Sequence, residues 1–363
     1  MSLPQHLRAP VVVAIALIRI ACGGSATSGS NSTPPLADIG SGSLNGAGAT
    51  FPEPFYTQAF YQYNQSNPNI SVNYQAIGSG GGIKQFTAGT VDFGASDVPM
   101  TDAELTAAGG ASSLVEVPTI LGVVSIAYNI PSVSKLQLDG PTVAAIFLGK
   151  VKSWDDPMVT AQNSGASLPS KPITVVHRSD NSGTSYQFTD YLAKVSPDWK
   201  SGPGVGKGVA WPTGIGASGN TAVAQAVKST DNAIGYVELA YVVQTHMQQA
   251  YLKNTAGKYL QASIAGATAA ASKNTNVSPT NFSITNQDGD AAYPIASFSW
   301  IFLKKAQTDG AKGRALTYLF KWVVTDGQTF GTPLDYAPLP AQVQTYALDQ
   351  LKTITVSGTA ILK

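Results

Sequence analysis

Residues Ile173–Leu192 read ITVVHRSDNSGTSYQFTDYL. The β-branched run Ile173–His177 predicts a strand, and the residues through Tyr186–Lys194 predict a helix. Between them lies a polar turn, His177-Arg178-Ser179-Asp180-Asn181-Ser182-Gly183-Thr184-Ser185. A strand, a short polar turn and a helix make the repeating unit of α/β proteins. The turn also carries chemistry. Ser182, Gly183 and Thr184 present hydroxyl and amide donors where a helix begins, and helix N-termini favour anions. Arg178 adds a guanidinium fork suited to an oxyanion, and Asp180 most simply orients it. The plainer reading, a solvated turn with a local Arg–Asp pair, stays open at this point.

Three more loops repeat the pattern. Gly46-Ala47-Gly48-Ala49-Thr50-Phe51-Pro52 precedes an amphipathic helix with Phe55, Ala59, Phe60 and Tyr63. Thr50 is either an ordinary N-cap or a ligand group beside free amides. Gly78-Ser79-Gly80-Gly81-Gly82 reads as a glycine-rich turn, with a helix starting near Ile83. Its glycines let amides approach an anion, although a plain flexible turn has the same composition. It is neither a Walker loop, since Lys84 is off register, nor a dinucleotide fingerprint. In Asp92-Phe93-Gly94-Ala95-Ser96-Asp97, the carboxylate of Asp97 either caps the structure beyond it or accepts a proton from a ligand. Together the loops offer neutral donors, one Arg and one acceptor. That set suits a small tetrahedral oxyanion held mainly by dipoles and hydrogen bonds.

Further strands are expected at Ile70–Gln75, Val91–Ala95, Val123–Asn129, Ala233–Val237 and Phe298–Leu303. Helices are expected at Pro141–Leu148, Ala222–Lys228, Ala311–Thr325 and Ala341–Leu351, and Thr101 to Glu104 is a helix-start signal. There is no internal repeat. The chain has 363 residues and is 43% apolar, enough for a sizeable core and about two domains. Lys and Arg total 22 against 21 acidic residues, with only 12% charged, which argues against a nucleic-acid partner. A single Cys excludes an intramolecular disulfide framework and a Cys-based zinc site. His6, His177 and His246 lie far apart without metal-ligand spacing, so neither a metal nor a cofactor is expected.

Residues 1–22, MSLPQHLRAPVVVAIALIRIAC, have the layout of an export signal. Arg8 supplies positive charge, and the apolar run Val11–Ile18 is too short for a membrane span. Small Ala21 and then Cys22 resemble a bacterial lipoprotein junction, at which the Cys is lipidated. Arg19 departs from the aliphatic residue usual there. Residues 23–43 are rich in Gly, Ser, Thr and Pro and read as a flexible tether. Signal, anchor and tether describe an exported protein held at the membrane, periplasmic or on the cell surface.

Several long motifs, in order, resemble the phosphate-binding proteins of bacterial phosphate ABC transporters, within the class II periplasmic binding protein family. They are GAGATFPEPFY (Gly46–Tyr56), NYQAIGSGGGIKQF (Asn73–Phe86), TVDFGASDVP (Thr90–Pro99), LDGPTVAAIFLGKVKSWDDP (Leu138–Pro157), HRSDNSGTSYQFTDYL (His177–Leu192), AIGYVEL (Ala233–Leu239) and AYPIASFSWIF (Ala292–Phe302). The resemblance implies an α/β, two-lobed type II fold with mixed sheets and a ligand cleft at the hinge. It implies one lobe from 44–120 plus 292–363 and another from 121–291. It implies phosphate ligands at Thr50, Phe51 (through its amide), Ser79, Asp97, Arg178, Ser182, Gly183 and Thr184, with Asp180 supporting Arg178. Three residues depart from the family pattern: Gly80 for a common Ser, Asn181 for a Gly, and His177 for a common Arg, which leaves the rim less basic.

The function implied is non-enzymatic: capture of inorganic phosphate, closure, and delivery to the membrane permease and ATPase subunits of a phosphate ABC transporter, as a lipid-anchored monomer. A phosphate-ester hydrolase would need a nucleophile and a base, and usually metal ions, and no G-x-S-x-G elbow or His/Asp cluster occurs. A carrier for sulfate or molybdate is opposed by Asp97, because a fully ionised oxyanion has no proton to donate. An added adhesin or sensor role is compatible with the sequence.

Overall fold

A computed structural model describes residues 38–363. The signal, Cys22 and most of the tether lie outside the described residues. The first strand, β1, is Gly42–Gly48, so it takes in the last two residues read as tether. After it come α1 (Glu53–Ser66), β2 (Ile70–Ala76), α2 (Ser79–Thr87), β3 (Phe93–Ser96), α3 (Asp102–Ala107) and β4 (Leu114–Asn129). The middle of the chain supplies α4 (Gly140–Phe147), β5 (Thr174–Arg178), α5 (Gly183–Val195), β6 (Ile215–Ala217), α6 (Gly219–Ser229), β7 (Ala233–Glu238), α7 (Leu239–Gln244) and β8 (Gln248–Gln249). The chain then returns through β9 (Ala296–Lys304), α8 (Gly310–Val324) and α9 (Ala341–Lys352).

The expected elements are present to within a few residues at each end, with two instructive differences. The stretch Gly80–Gly82 is not a turn but the first turn of α2, which starts at Ser79. Helix propensity argues against glycine there, but close packing requires it. A Cβ at Gly82 would lie 2.4 Å from the Gly48 Cα and 2.5 Å from the Ala47 carbonyl oxygen. The second difference is β4, which extends the expected Val123–Asn129 back to Leu114 and is buried at every residue but the last. Its continuous burial, with Glu116, Thr119 and Ser125 among otherwise mainly apolar residues, is that of a strand covered on both faces.

β4 organises the molecule. Among the described residues, the main sheet has nine strands in the order β2-β1-β3-β9-β4-β7-β5-β6, with β8 also pairing β4. The first part of β4 pairs antiparallel with β9, as far as Val123 opposite Ala296. From Val124 onward it pairs antiparallel with β7, starting opposite Glu238. One strand thus passes from a half built by the two ends of the chain into a half built by its middle. Pro118 has no N–H to donate, and the β4–β9 register shifts beside it, between Ser299 and Trp300. Helix α8 covers the first half with buried Leu316, Leu319, Phe320 and Val323.

Candidate functional site

β1 runs parallel to both β2 and β3, with Gly48 opposite Ala76 and opposite Ala95. The three strands therefore end at one edge, where Thr50, Ser79 and Asp97 follow. In the other half β5 is parallel to β6 and β7, and Arg178 ends it. The four loops meet. Ser79 Oγ accepts the Asp97 N–H at 3.3 Å and, from the other half, the Gly183 N–H at 3.0 Å. Gly183 starts α5, and a Cβ there would sit 2.5 Å from Asp97 Oδ2 and 2.6 Å from Ser79 Oγ. Only glycine allows that approach.

The alternatives left open by the sequence are decided by burial and bonding. Thr50 does not cap α1; Pro52 occupies the cap position. Instead Thr50 Oγ1 accepts the Asn220 backbone N–H at 3.2 Å and its Nδ2 at 2.9 Å. Asp97 does not cap α3 either, since Thr101 does so in a full capping box with Glu104. Arg178 is not in a solvated turn: it is 2% exposed. Its Nε and Nη2 donate to Asp180 at 2.7 and 2.5 Å, a bidentate pair that fixes the guanidinium plane. Arg178 Nη1 also donates to Thr184 Oγ1 at 3.3 Å. Asp180 accepts a further bond from the Gly219 N–H at 3.0 Å. Burial alone would raise the Asp180 carboxyl, but its bonds to Arg178 and the arginine's charge hold it below the usual carboxylate range. Ser182 caps α5, its Oγ accepting the Ser185 N–H at 3.1 Å.

One regularity runs through these contacts. Thr50, Ser79, Ser182 and Thr184 all accept N–H bonds through their hydroxyl oxygens. None of the four donates to a protein acceptor in any described hydrogen bond. A hydroxyl has one proton and two lone pairs, so four protons remain for something that accepts them. Against this stands one buried acceptor. Asp97 is 1% exposed, and its Oδ1 accepts from Ser299 Oγ at 2.7 Å. Burial pushes its carboxyl up to about 7, against the opposing pull of Ser299 and the Arg178 charge. Asp97 therefore titrates near neutrality.

A family model for the PBP superfamily domain matches residues 27–326. The phosphate-binding protein PstS of Xylella fastidiosa strain 9a5c is 41% identical over 91% of this chain and 92% of its own. The PstS of Pasteurella multocida is 43% identical over 85% of this chain and 90% of its own. The chain belongs to the PstS family of phosphate-binding proteins. The crystal structure of a high affinity periplasmic phosphate-binding protein bound with phosphate superposes with a TM-score of 0.66 at 20% identity. That match covers 84% of this chain and 92% of the other, and shows the shared fold, the type II periplasmic binding protein architecture.

Two departures of this PstS-family chain from the family pattern compensate each other. A Cβ at Gly80 would lie 2.4 Å from the Asn181 Cβ, so Asn at 181 requires Gly at 80. The Asn181 carbonyl in turn accepts the Gly80 N–H at 2.9 Å, joining the two loops. The third departure, His177, stacks on Trp211 with ring centroids 4.8 Å apart, and burial lowers its pKa. Sequence reading missed Asn220 and Ser299. The first stands in Gly216-Ala217-Ser218-Gly219-Asn220, a fifth strand-turn-helix loop that the other four should have drawn attention to. The second is an ordinary strand residue. Only the register, Trp300 opposite Ser96, brings Ser299 across from Asp97.

Proposed function

We propose that this chain binds inorganic phosphate outside the cytoplasmic membrane and delivers it to an ABC transporter for import. The observation that carries the reading is the hydrogen-bond polarity of the site: four buried hydroxyls with protons to donate, one neutralised Arg, and one buried carboxyl. Thr50, Ser79, Ser182 and Thr184 donate to phosphate oxygens, as do the Phe51 amide and the Arg178 guanidinium, while the Gly183 amide, given to Ser79 Oγ, holds that hydroxyl with its proton toward the ligand. Asp97 accepts the ligand's remaining proton. The bonds that join the halves, Gly183 to Ser79 and Asn220 to Thr50, support a closed conformer. The partner change of β4 at Val123/Val124 supports lobes of 44–120 plus 292–363 and of 121–291, with closure about the strands between them. Phosphate passes to the permease and ATPase subunits of the transporter. The protein acts as a monomeric carrier, not an enzyme, lipidated at Cys22 and tethered by the segment that follows.

Calorimetric titration with phosphate and with sulfate tests this. Phosphate is expected to bind, and sulfate to bind far more weakly. The gap should widen as pH rises from about 6 to about 8, because ionised Asp97 repels an oxyanion without a proton, whereas protonated Asp97 can donate to one. Equal affinity for both anions across that range refutes the phosphate assignment.

A further inference from the structure

Asn220 is fully buried near the start of α6, beside Gly219, whose φ of +80° favours glycine. The orientation of its amide is set by the backbone. The Glu238 N–H donates to Asn220 Oδ1 at 3.1 Å, and an N–H can be met only by the carbonyl end. The NH2 end therefore faces two hydroxyls, Thr50 Oγ1 at 2.9 Å and Thr184 Oγ1 at 3.2 Å. Each threonine oxygen then has both lone pairs occupied. Thr50 accepts twice from Asn220, through its backbone N–H and its Nδ2, and Thr184 accepts from Asn220 Nδ2 and from Arg178 Nη1. Each has only its proton left to offer.

We propose that Asn220 is a positioning residue for the anion. Its amide locks Thr50, from the half built by the chain ends, and Thr184, from the half built by the middle, as donors toward the ligand. One side chain thereby sets the polarity of a hydroxyl from each half, and the Glu238 backbone serves as its reference. Without that amide each hydroxyl keeps a single donor, the residue-220 backbone N–H for Thr50 and Arg178 Nη1 for Thr184, so one lone pair is freed, the proton has a second orientation, and part of the binding free energy goes into fixing it. The inference rests on the reading of these threonines as phosphate ligands. It adds that Asn220 acts through them and not by contact with the anion.

A double-mutant cycle separates these statements. Phosphate affinity is measured by calorimetry on ligand-free wild type, Asn220→Ala, the pair Thr50→Val with Thr184→Val, and all three together. Circular dichroism and melting establish that each is folded. Asn220→Ala is expected to weaken binding at least about tenfold in the wild type, and less than about threefold when both threonines are already Val, because interacting residues are non-additive. If Asn220→Ala does not fold, Asn220→Ser, which keeps an oxygen for the Glu238 N–H, takes its place in the cycle. Losses that multiply across the two backgrounds overturn the proposal, since a purely structural Asn220 acts alike in both. A loss under threefold in the wild type overturns it as well. A wild type that does not bind phosphate overturns the functional reading and this inference together, whereas a binding wild type with multiplying losses overturns this inference alone.

Discussion

Replacing Asp97 by Asn in the ligand-free protein removes a carboxyl that burial holds at about 7, while an unfolded aspartate titrates near 3.8. Asn keeps an oxygen for the Ser299 hydroxyl, so the packing is nearly conserved. The folded state binds the proton more tightly than the unfolded state. Stability is thus undiminished below the unfolded pKa and falls as pH rises from there toward the folded pKa. The full shift of about 3 units corresponds to about 4 kcal/mol, and about 2.5 kcal/mol of it falls between about pH 5 and pH 8. Burial also raises Glu116, to about 7, Glu238 well above the usual carboxylate range, and Asp335, and it lowers His177, so the wild-type slope alone mixes several groups. The difference between wild type and Asp97→Asn isolates one. Urea unfolding of phosphate-free protein at the two pH values measures it. Asp97→Asn should gain stability over wild type by about 2 to 3 kcal/mol more at pH 8 than at pH 5. A gain that is the same at both pH values, within about 0.5 kcal/mol, refutes the claim that Asp97 titrates at neutrality.

Arg178→Ala should weaken phosphate binding at least about tenfold with the fold intact, because it removes the buried guanidinium of the site and leaves Asp180 without its cation; unchanged affinity by calorimetry removes Arg178 from the site. Ligand that bridges the two halves should lower the radius of gyration in small-angle scattering and raise the melting temperature, and protein verified ligand-free that shows no compaction argues against closure. Mass spectrometry of the native N-terminus should find an acylated Cys22, and an unmodified or absent Cys22 points to a soluble secreted form.

The elements and four of the loops were legible in the residues. Local rules decide such features: β-branched runs at Thr174–Arg178 and Ala233–Glu238, the capping box at Thr101 and Glu104, and the apolar face of α8 each act within a few residues of themselves. The sequence also carried the residue types of an oxyanion site, since neutral donors at helix starts are a local pattern. It could not tell Thr50 the cap from Thr50 the acceptor of Asn220, because those residues are 170 positions apart. Nor could it show that Gly80–Gly82 are helical, since Gly82 packs against backbone of β1 and Gly80 against Asn181, both distant in sequence. The pairing of Ser299 with Asp97, residues 202 positions apart, depends on the register between β9 and β3, and the neutral titration of Asp97 on a burial that only the assembled sheet creates. Residue type and short-range spacing select the chemistry available to this chain. Hydrogen-bond polarity and desolvation are properties of neighbours, and tertiary structure alone decides which residues those are.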